Sequence, residues 1–134
     1  MKTQFVCSLA AIGLLGTIPP TLAANRTDGT VALFKAYDAD HDGSLDLAEV
    51  KKAAEAKFDR LEKDKDGTLD RKEIAGLGIS MKAGDPDKDG TLDKAEYMVI
   101  VEQRFRAADP DKDGTLSYAE LKSKAGRKLL LLLK

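Results

Sequence analysis

Apolar residues recur along the chain in short groups, separated by four acidic segments of twelve residues that each contain a glycine. One apolar residue stands four places before each segment, and another follows directly after it. The residues before the segments are Phe34, Phe58, Met81 and Phe105, and those after them are Val50, Ile74, Tyr97 and Leu121. This spacing predicts helices that enter and leave each segment with their apolar faces turned to a common core. We therefore expect a repeat of helix–loop–helix units.

The four acidic segments share one pattern, and they are called loops 1 to 4 below. They read DADHDGSLDLAE (38–49), EKDKDGTLDRKE (62–73), DPDKDGTLDKAE (85–96) and DPDKDGTLSYAE (109–120). Each has an acid at positions 1, 3, 5 and 12, glycine at position 6 and leucine at position 8. This is the spacing of the EF-hand cation loop. Acids that merely cap helices or line turns would not recur in this register.

The pattern assigns a role to each ligand position. Side chains at positions 1, 3 and 5 converge on one ion, position 7 offers its backbone carbonyl, and the position 12 glutamate closes the site. Position 9 adds an acid in loops 1 to 3. The candidate metal ligands are Asp38, Asp40, Asp42, Ser44, Asp46 and Glu49 in loop 1; Glu62, Asp64, Asp66, Thr68, Asp70 and Glu73 in loop 2; Asp85, Asp87, Asp89, Thr91, Asp93 and Glu96 in loop 3; and Asp109, Asp111, Asp113, Thr115, Ser117 and Glu120 in loop 4.

The distance between loops is short, since only 12, 11 and 12 residues separate them. Each gap has room for one helix, which must leave one loop and enter the next. The sequence thus predicts an all-α fold of four EF-hand units with shared helices between consecutive loops, a compact small bundle when metal is bound. Loop 1 is expected to pair with loop 3, and loop 2 with loop 4. The helix over 74–84 should be short or broken, because it contains three glycines.

The first residues have the pattern of a secretory signal peptide: Lys2, an apolar run over 5–22, and small residues before a cleavage site after Ala23. We expect residues 1–23 to be removed, leaving residues 24–134 as a single metal-binding domain in the periplasm. Leu129 to Leu133 are too few to span a bilayer. They are expected to complete the core as part of a final helix, with a membrane-surface or self-association contact as the alternative.

Other classes of function fit the sequence less well. The net charge is −1, and no basic patch with interleaved aromatic residues indicates nucleic-acid binding. We expect no enzyme activity, because the sole cysteine lies in the signal segment and His41 is the one histidine. A calmodulin-like groove would need more methionine than Met81 and Met98 beyond that segment, and a dockerin-type loop would end in aspartate. We expect a monomer, although a dimer and a metal-delivery partner stay open.

The number of acids bears on the ion. Loops 1, 2 and 3 carry five each, with Asp46, Asp70 and Asp93 at position 9, whereas loop 4 has Ser117 there. A trivalent ion raises every ion–ligand attraction by half and leaves the repulsion between ligands unchanged. Dense acids therefore favour a lanthanide(III) ion. An exported calcium buffer or sensor that uses the same residues is the alternative.

The stretches DPDKDGTLD (85–93) and KAEYMVIVEQRFRAADPDKDGTL (94–116), together with the signal segment and the four short-spaced loops, resemble lanmodulin, a family of periplasmic lanthanide-binding EF-hand proteins. The resemblance implies selectivity for rare-earth ions over Ca²⁺, folding on binding and a weak fourth hand. This chain departs from the family in having proline at position 2 only in loops 3 and 4, and in starting loop 2 with Glu62. We rank loops 3 and 1 first, loop 2 next and loop 4 last.

Overall fold

A computed structural model describes residues 29–134, and the predicted signal peptide with its cleavage site lies outside the described residues. The described part is mostly helical, with four very short strands. The elements are α1 (Gly29–Tyr37), β1 (Leu45–Asp46), α2 (Leu47–Leu61), β2 (Thr68–Leu69), α3 (Met81–Gly84), β3 (Leu92–Asp93), α4 (Lys94–Ala108), β4 (Thr115–Leu116), α5 (Tyr118–Lys122) and α6 (Lys124–Leu130).

Helices α2 and α4 are the two long elements, and each links two consecutive loops as predicted. Each begins with a capping box, in which the position 9 aspartate side chain accepts a hydrogen bond from the backbone N–H of the position 12 glutamate, and the glutamate side chain accepts one from the backbone N–H of the aspartate. The two helices pack antiparallel. Ion pairs join Lys51 to Glu102 and Lys94 to Asp59 at opposite ends of the contact.

The segment between loops 2 and 3 is not a continuous helix. Residues 71–78 form turns, and α3 contains only four residues. Gly76 and Gly78 have φ of 85° and 63°, a left-handed conformation that ends a helix and that glycine adopts without a Cβ clash. The predicted break over 74–84 is confirmed. A shared helix therefore connects the loops in two of the three gaps.

The pairing of the loops differs from the prediction. Strand β1 pairs with β4, and β2 pairs with β3, both antiparallel. Loop 1 thus lies beside loop 4 and loop 2 beside loop 3, so the expected pairs 1–3 and 2–4 are wrong. The reason is the break after loop 2: because the chain reverses over 71–80, two consecutive loops come together, which a straight helix would prevent.

The core lies under the loops and along α4. Leucine at position 8 of every loop is fully buried, and the apolar residues that flank the loops are buried too, except Met81, which is partly buried. Leu129, Leu130, Leu132 and Leu133 join the same core, as expected, but α6 ends at Leu130, so Leu132 and Leu133 lie in the turn after the helix and not within it. Within residues 29–134, no helix has both the length and the apolar character to cross a membrane.

Candidate metal centres

The backbone of each loop turns sharply around the first acid. The position 6 glycine has a φ between 85° and 92°, and its N–H donates to the position 1 carboxylate. The residue at position 4 also has a positive φ, although none of the four is glycine. These residues are His41, Lys65, Lys88 and Lys112. His41 is exposed, and its Nδ1 lies 2.8 Å from the carbonyl oxygen of Asp38.

Three loops gather acids from positions 1, 3 and 12 into one group. In each group, one carboxylate oxygen of every residue lies within 4.8 Å of the others. The groups are Asp38, Asp40 and Glu49 in loop 1; Asp85, Asp87 and Glu96 in loop 3; and Asp109, Asp111 and Glu120 in loop 4. Oxygen ligands from both ends of a loop at this separation form the type of site that binds Ca²⁺ and similar hard cations.

The position 1 aspartates are buried, with 7–8% of their surface exposed. In the part of the chain that the structure describes, no hydrogen-bond partner reaches Asp38 Oδ1, Asp109 Oδ1 or Glu120 Oε1, although all three atoms are buried. A buried polar atom left without a partner costs about 1–3 kcal/mol. A cation among these oxygens would remove that cost, so the residues of loops 1 and 4 fit a bound metal ion.

Loop 2 does not gather its acids in this way, and none of its residues belongs to such a group among the described residues. The Glu62 side chain accepts from the N–H of Gly67, as the position 1 aspartates do from the position 6 glycines of the other loops. Glu73 accepts from the N–H groups of Lys63 and Asp70, at 2.9 Å and 3.1 Å. Glu49 of loop 1 has the same two donors, so these hydrogen bonds do not separate loop 2 from loop 1. The difference in sequence is at position 1, where loop 2 alone has glutamate in place of aspartate.

The side chains at positions 5 and 9 form hydrogen bonds within their own loops. In every loop the position 5 carboxylate accepts from both the N–H and the hydroxyl group of the position 7 residue. The position 9 side chain caps the turn that follows, whether it is Asp46, Asp70, Asp93 or Ser117. The sequence indicates this capping role, because Asp or Ser stands three residues before Glu in each loop. Sequence reasoning missed it, because the same residues also fit positions 9 and 12 of a metal-binding loop.

Position 2 determines what the position 12 glutamate contacts. The N–H of Ala39 donates to Glu49 Oε1 at 2.6 Å, and that of Lys63 donates to Glu73 Oε1 at 2.9 Å. Proline has no N–H, so loops 3 and 4 cannot form this bond. Their glutamates therefore lack one of the contacts that hold the carboxylate in loops 1 and 2.

Mutual repulsion shapes the ionisation of the gathered acids. For Asp87, the N–H of Asp89 favours the charged form, but a hydrogen bond shared with Asp85 and the nearby carboxylates outweigh it and raise the pKa. For Asp111, a backbone hydrogen bond from Asp113 likewise favours the charged form, but a hydrogen bond shared with Asp109 and nearby carboxylates outweigh it and raise the pKa. For Glu96, a backbone hydrogen bond from Asp93 favours the charged form, but burial and the nearby carboxylates outweigh it and raise the pKa. For Asp85, burial opposes ionisation, yet several donors outweigh it and lower the pKa. The acids are thus held closer together than their charges favour.

Comparison with known protein families agrees with this geometry. A model described as "EF hand" matches residues 30–53 and 100–123, and one described as "EF-hand domain pair" matches residues 79–104. No curated protein matches the chain. The matched ranges contain loops 1, 3 and 4, the three that gather their acids. The protein is therefore an EF-hand metal-binding protein with acidic ligand groups in its loops.

Proposed function

We propose that this protein is an exported, non-catalytic EF-hand protein that binds lanthanide(III) ions in preference to Ca²⁺ and orders its fold as it binds them. The observation that carries the binding role is a set of buried oxygens of Asp38, Asp109 and Glu120 that have no hydrogen-bond partner among residues 29–134, and each of these residues belongs to a gathered group. A cation is the partner that these oxygens lack. The pattern of the signal segment supports export.

The preference for a trivalent ion is supported by charge. Each gathered group already has three carboxylates with oxygens within 4.8 Å of one another. Position 5 adds a fourth acid to each of these loops, and position 9 adds a fifth in loops 1 and 3. Ca²⁺ and lanthanide(III) ions both take oxygen ligands, so we expect charge to separate them more than size does. The resemblance of residues 85–116 to lanmodulin supports the same ion.

A calcium-binding protein is the second candidate, and one observation favours it. The position 9 aspartates cap helices, and Ser117 caps α5 in the same way. A structural role therefore accounts for the fifth acid without any trivalent ion. The two candidates share their ligands and differ in the relative affinity for the two ions.

Glutamate-to-glutamine substitution at position 12 tests the binding role, because it removes one charge from a single loop. Calorimetric titration of metal-stripped protein should show one fewer site in each of Glu49→Gln, Glu96→Gln and Glu120→Gln. Glu55→Gln is the matched control, since Glu55 is an exposed residue of α2 outside the loops. Unchanged stoichiometry in all three loop variants would show that the loops are not the metal sites.

A further inference from the structure

The last twelve residues, 123–134, form a segment that contacts elements far away in the sequence, and this is called the C-terminal segment below. It contains α6, followed by a short turn. Leu132 and Leu133 are fully buried, whereas Leu131 between them is only partly buried. The leucines account for burial, but they do not explain why distant polar side chains bind the backbone of this segment.

Three side chains from three helices or their ends hold its final carbonyl groups. The hydroxyl of Tyr37 donates to Leu133 O at 2.7 Å, and that of Tyr97 donates to Leu132 O at 2.8 Å. Arg60 Nη2 donates to Leu133 O at 3.3 Å. Buried carbonyl groups need such donors once a chain end leaves helical geometry, so these contacts fix the backbone of the segment as well as its side chains.

Each of these side chains lies next to a metal loop. Tyr37 is joined by one peptide bond to Asp38, the first acid of loop 1, and Tyr97 follows directly after Glu96, the last acid of loop 3. Arg60 stands two residues before the start of loop 2. The segment therefore contacts residues beside ligands of three loops.

The fourth loop is reached through a close backbone approach. A Cβ on Gly126 would overlap the carbonyl oxygen of Glu120 and lie 2.5 Å from Leu121 Cα. Only glycine lets α6 come this near to the last acid of loop 4. The C-terminal segment thus adjoins both loop pairs, which are not hydrogen-bonded to each other as strands.

We propose that the C-terminal segment couples metal binding in the loop pair 1–4 to metal binding in the pair 2–3, with Tyr37 and Tyr97 as its positioning residues. Metal that fixes Glu96 fixes the adjacent Tyr97, which favours the docked segment, and the docked segment holds Tyr37 beside Asp38. Two sites that both favour one docked state must increase each other's affinity. This inference rests on the proposed binding of metal by the loops.

The direct contact between α2 and α4 is the alternative route by which the pairs could be coupled, so the test must separate the two. Ca²⁺ is the probe, because either candidate function includes calcium binding to these loops. The affinity of loops 1 and 4 is measured by calorimetry with loops 2 and 3 intact, and again with Glu73→Gln and Glu96→Gln. The ratio of the two affinities is the coupling factor.

We expect a coupling factor of about fivefold or more in the otherwise unaltered chain. It should fall close to one when Tyr37→Phe and Tyr97→Phe are added, since these changes remove only the two hydroxyl groups and leave α2 against α4. Leu132→Ala should also abolish the coupling, whereas Leu131→Ala, the matched control, should keep it. Circular dichroism at saturating Ca²⁺ checks that the variants fold.

A coupling factor near one in the unaltered chain, or one that the tyrosine variants leave unchanged, would overturn the proposal. Equal loss in Leu131→Ala and Leu132→Ala would also overturn it, because the effect would then be general loosening of the core. Failure of the unaltered chain to bind either Ca²⁺ or Tb³⁺ would instead refute the metal-binding role of the loops. The two failures are therefore distinguishable.

Discussion

Leu45 of loop 1 lies directly opposite Leu116 of loop 4 in a two-stranded antiparallel sheet, and both side chains are fully buried. Residues 71 positions apart in the sequence thus pair directly and link these two loops. The pair Leu69 and Leu92 does the same for loops 2 and 3. Each loop therefore has one partner loop, to which it is joined by a short pair of strands.

The first prediction concerns this pairing. Glu49→Gln, which weakens loop 1, should lower the affinity of loop 4 by about threefold to tenfold, because the strand that the two loops share is ordered less well. Glu73→Gln in loop 2 should affect loop 4 less. The amide signal of Gly114, whose N–H bonds to Asp109, reports loop 4 in an NMR titration. A larger effect from Glu73→Gln would contradict the pairing.

The second prediction concerns proline at position 2. Pro86→Ala restores an N–H that can bond to Glu96, as Ala39 does to Glu49. Such a bond to a carboxylate contributes about 1.5 kcal/mol, and the loss of proline's stiffness costs about 0.7 kcal/mol. Loop 3 should therefore bind Ca²⁺ roughly fourfold more tightly. The reverse change, Ala39→Pro, should lower the Ca²⁺ affinity of loop 1. Calorimetry measures the affinity of both variants. Weaker Ca²⁺ binding by Pro86→Ala would refute the role of the missing N–H donor.

The third prediction concerns pH. The pKa values of Asp87, Glu96 and Asp111 are raised in the folded chain, so the folded state holds more protons than the unfolded one near the ordinary carboxyl values of 3.8 and 4.5. These groups stabilise the metal-free fold at low pH, and that contribution is lost as the pH rises through the raised values. Asp85 opposes them. Circular dichroism of metal-free protein should show more helix as the pH falls towards that range, while the affinity for metal falls. A loss of helix over the same interval would contradict this prediction.

The fourth prediction concerns folding. Because the gathered acids repel one another without a cation, binding free energy should appear as folding free energy. An ion at one hundred times its Kd stabilises the fold by about 2.7 kcal/mol per site. Circular dichroism in the presence of chelator should therefore show much less helix than with metal added. Equal helix content in the two conditions would count against coupled folding.

Much of the fold could be predicted, because the EF-hand loop pattern also indicates that helices with buried apolar residues come before and after each loop. The glycine and acid spacing located the loops, and the apolar residues before and after them became core, as Phe58 and Val50 show. The capping boxes at Asp46 and Asp93 could also be predicted from the sequence, but an aspartate at the same position is equally suited to bind a metal ion. One side chain with two compatible roles cannot be assigned from a single sequence.

The loop pairing and the role of the chain end could not be predicted in the same way. Pairing depended on the direction of the chain after Gly76 and Gly78, and the break itself was visible while its direction was not. The leucines at 129–133 have no helical or strand period, so the sequence did not indicate which of them is buried. The contacts of Leu132 and Leu133 with Tyr97 and Tyr37 join positions that no local pattern relates.

Competition between Tb³⁺ and Ca²⁺ tests the central claim most directly. Tyr118 lies within loop 4, and Tyr37 and Tyr97 adjoin loops 1 and 3, so tyrosine excitation should sensitise the luminescence of bound Tb³⁺. The account predicts that micromolar Tb³⁺ keeps its sites, and its luminescence, against millimolar Ca²⁺. Displacement of Tb³⁺ by Ca²⁺ at comparable concentrations would contradict lanthanide selectivity and leave a calcium-binding EF-hand protein.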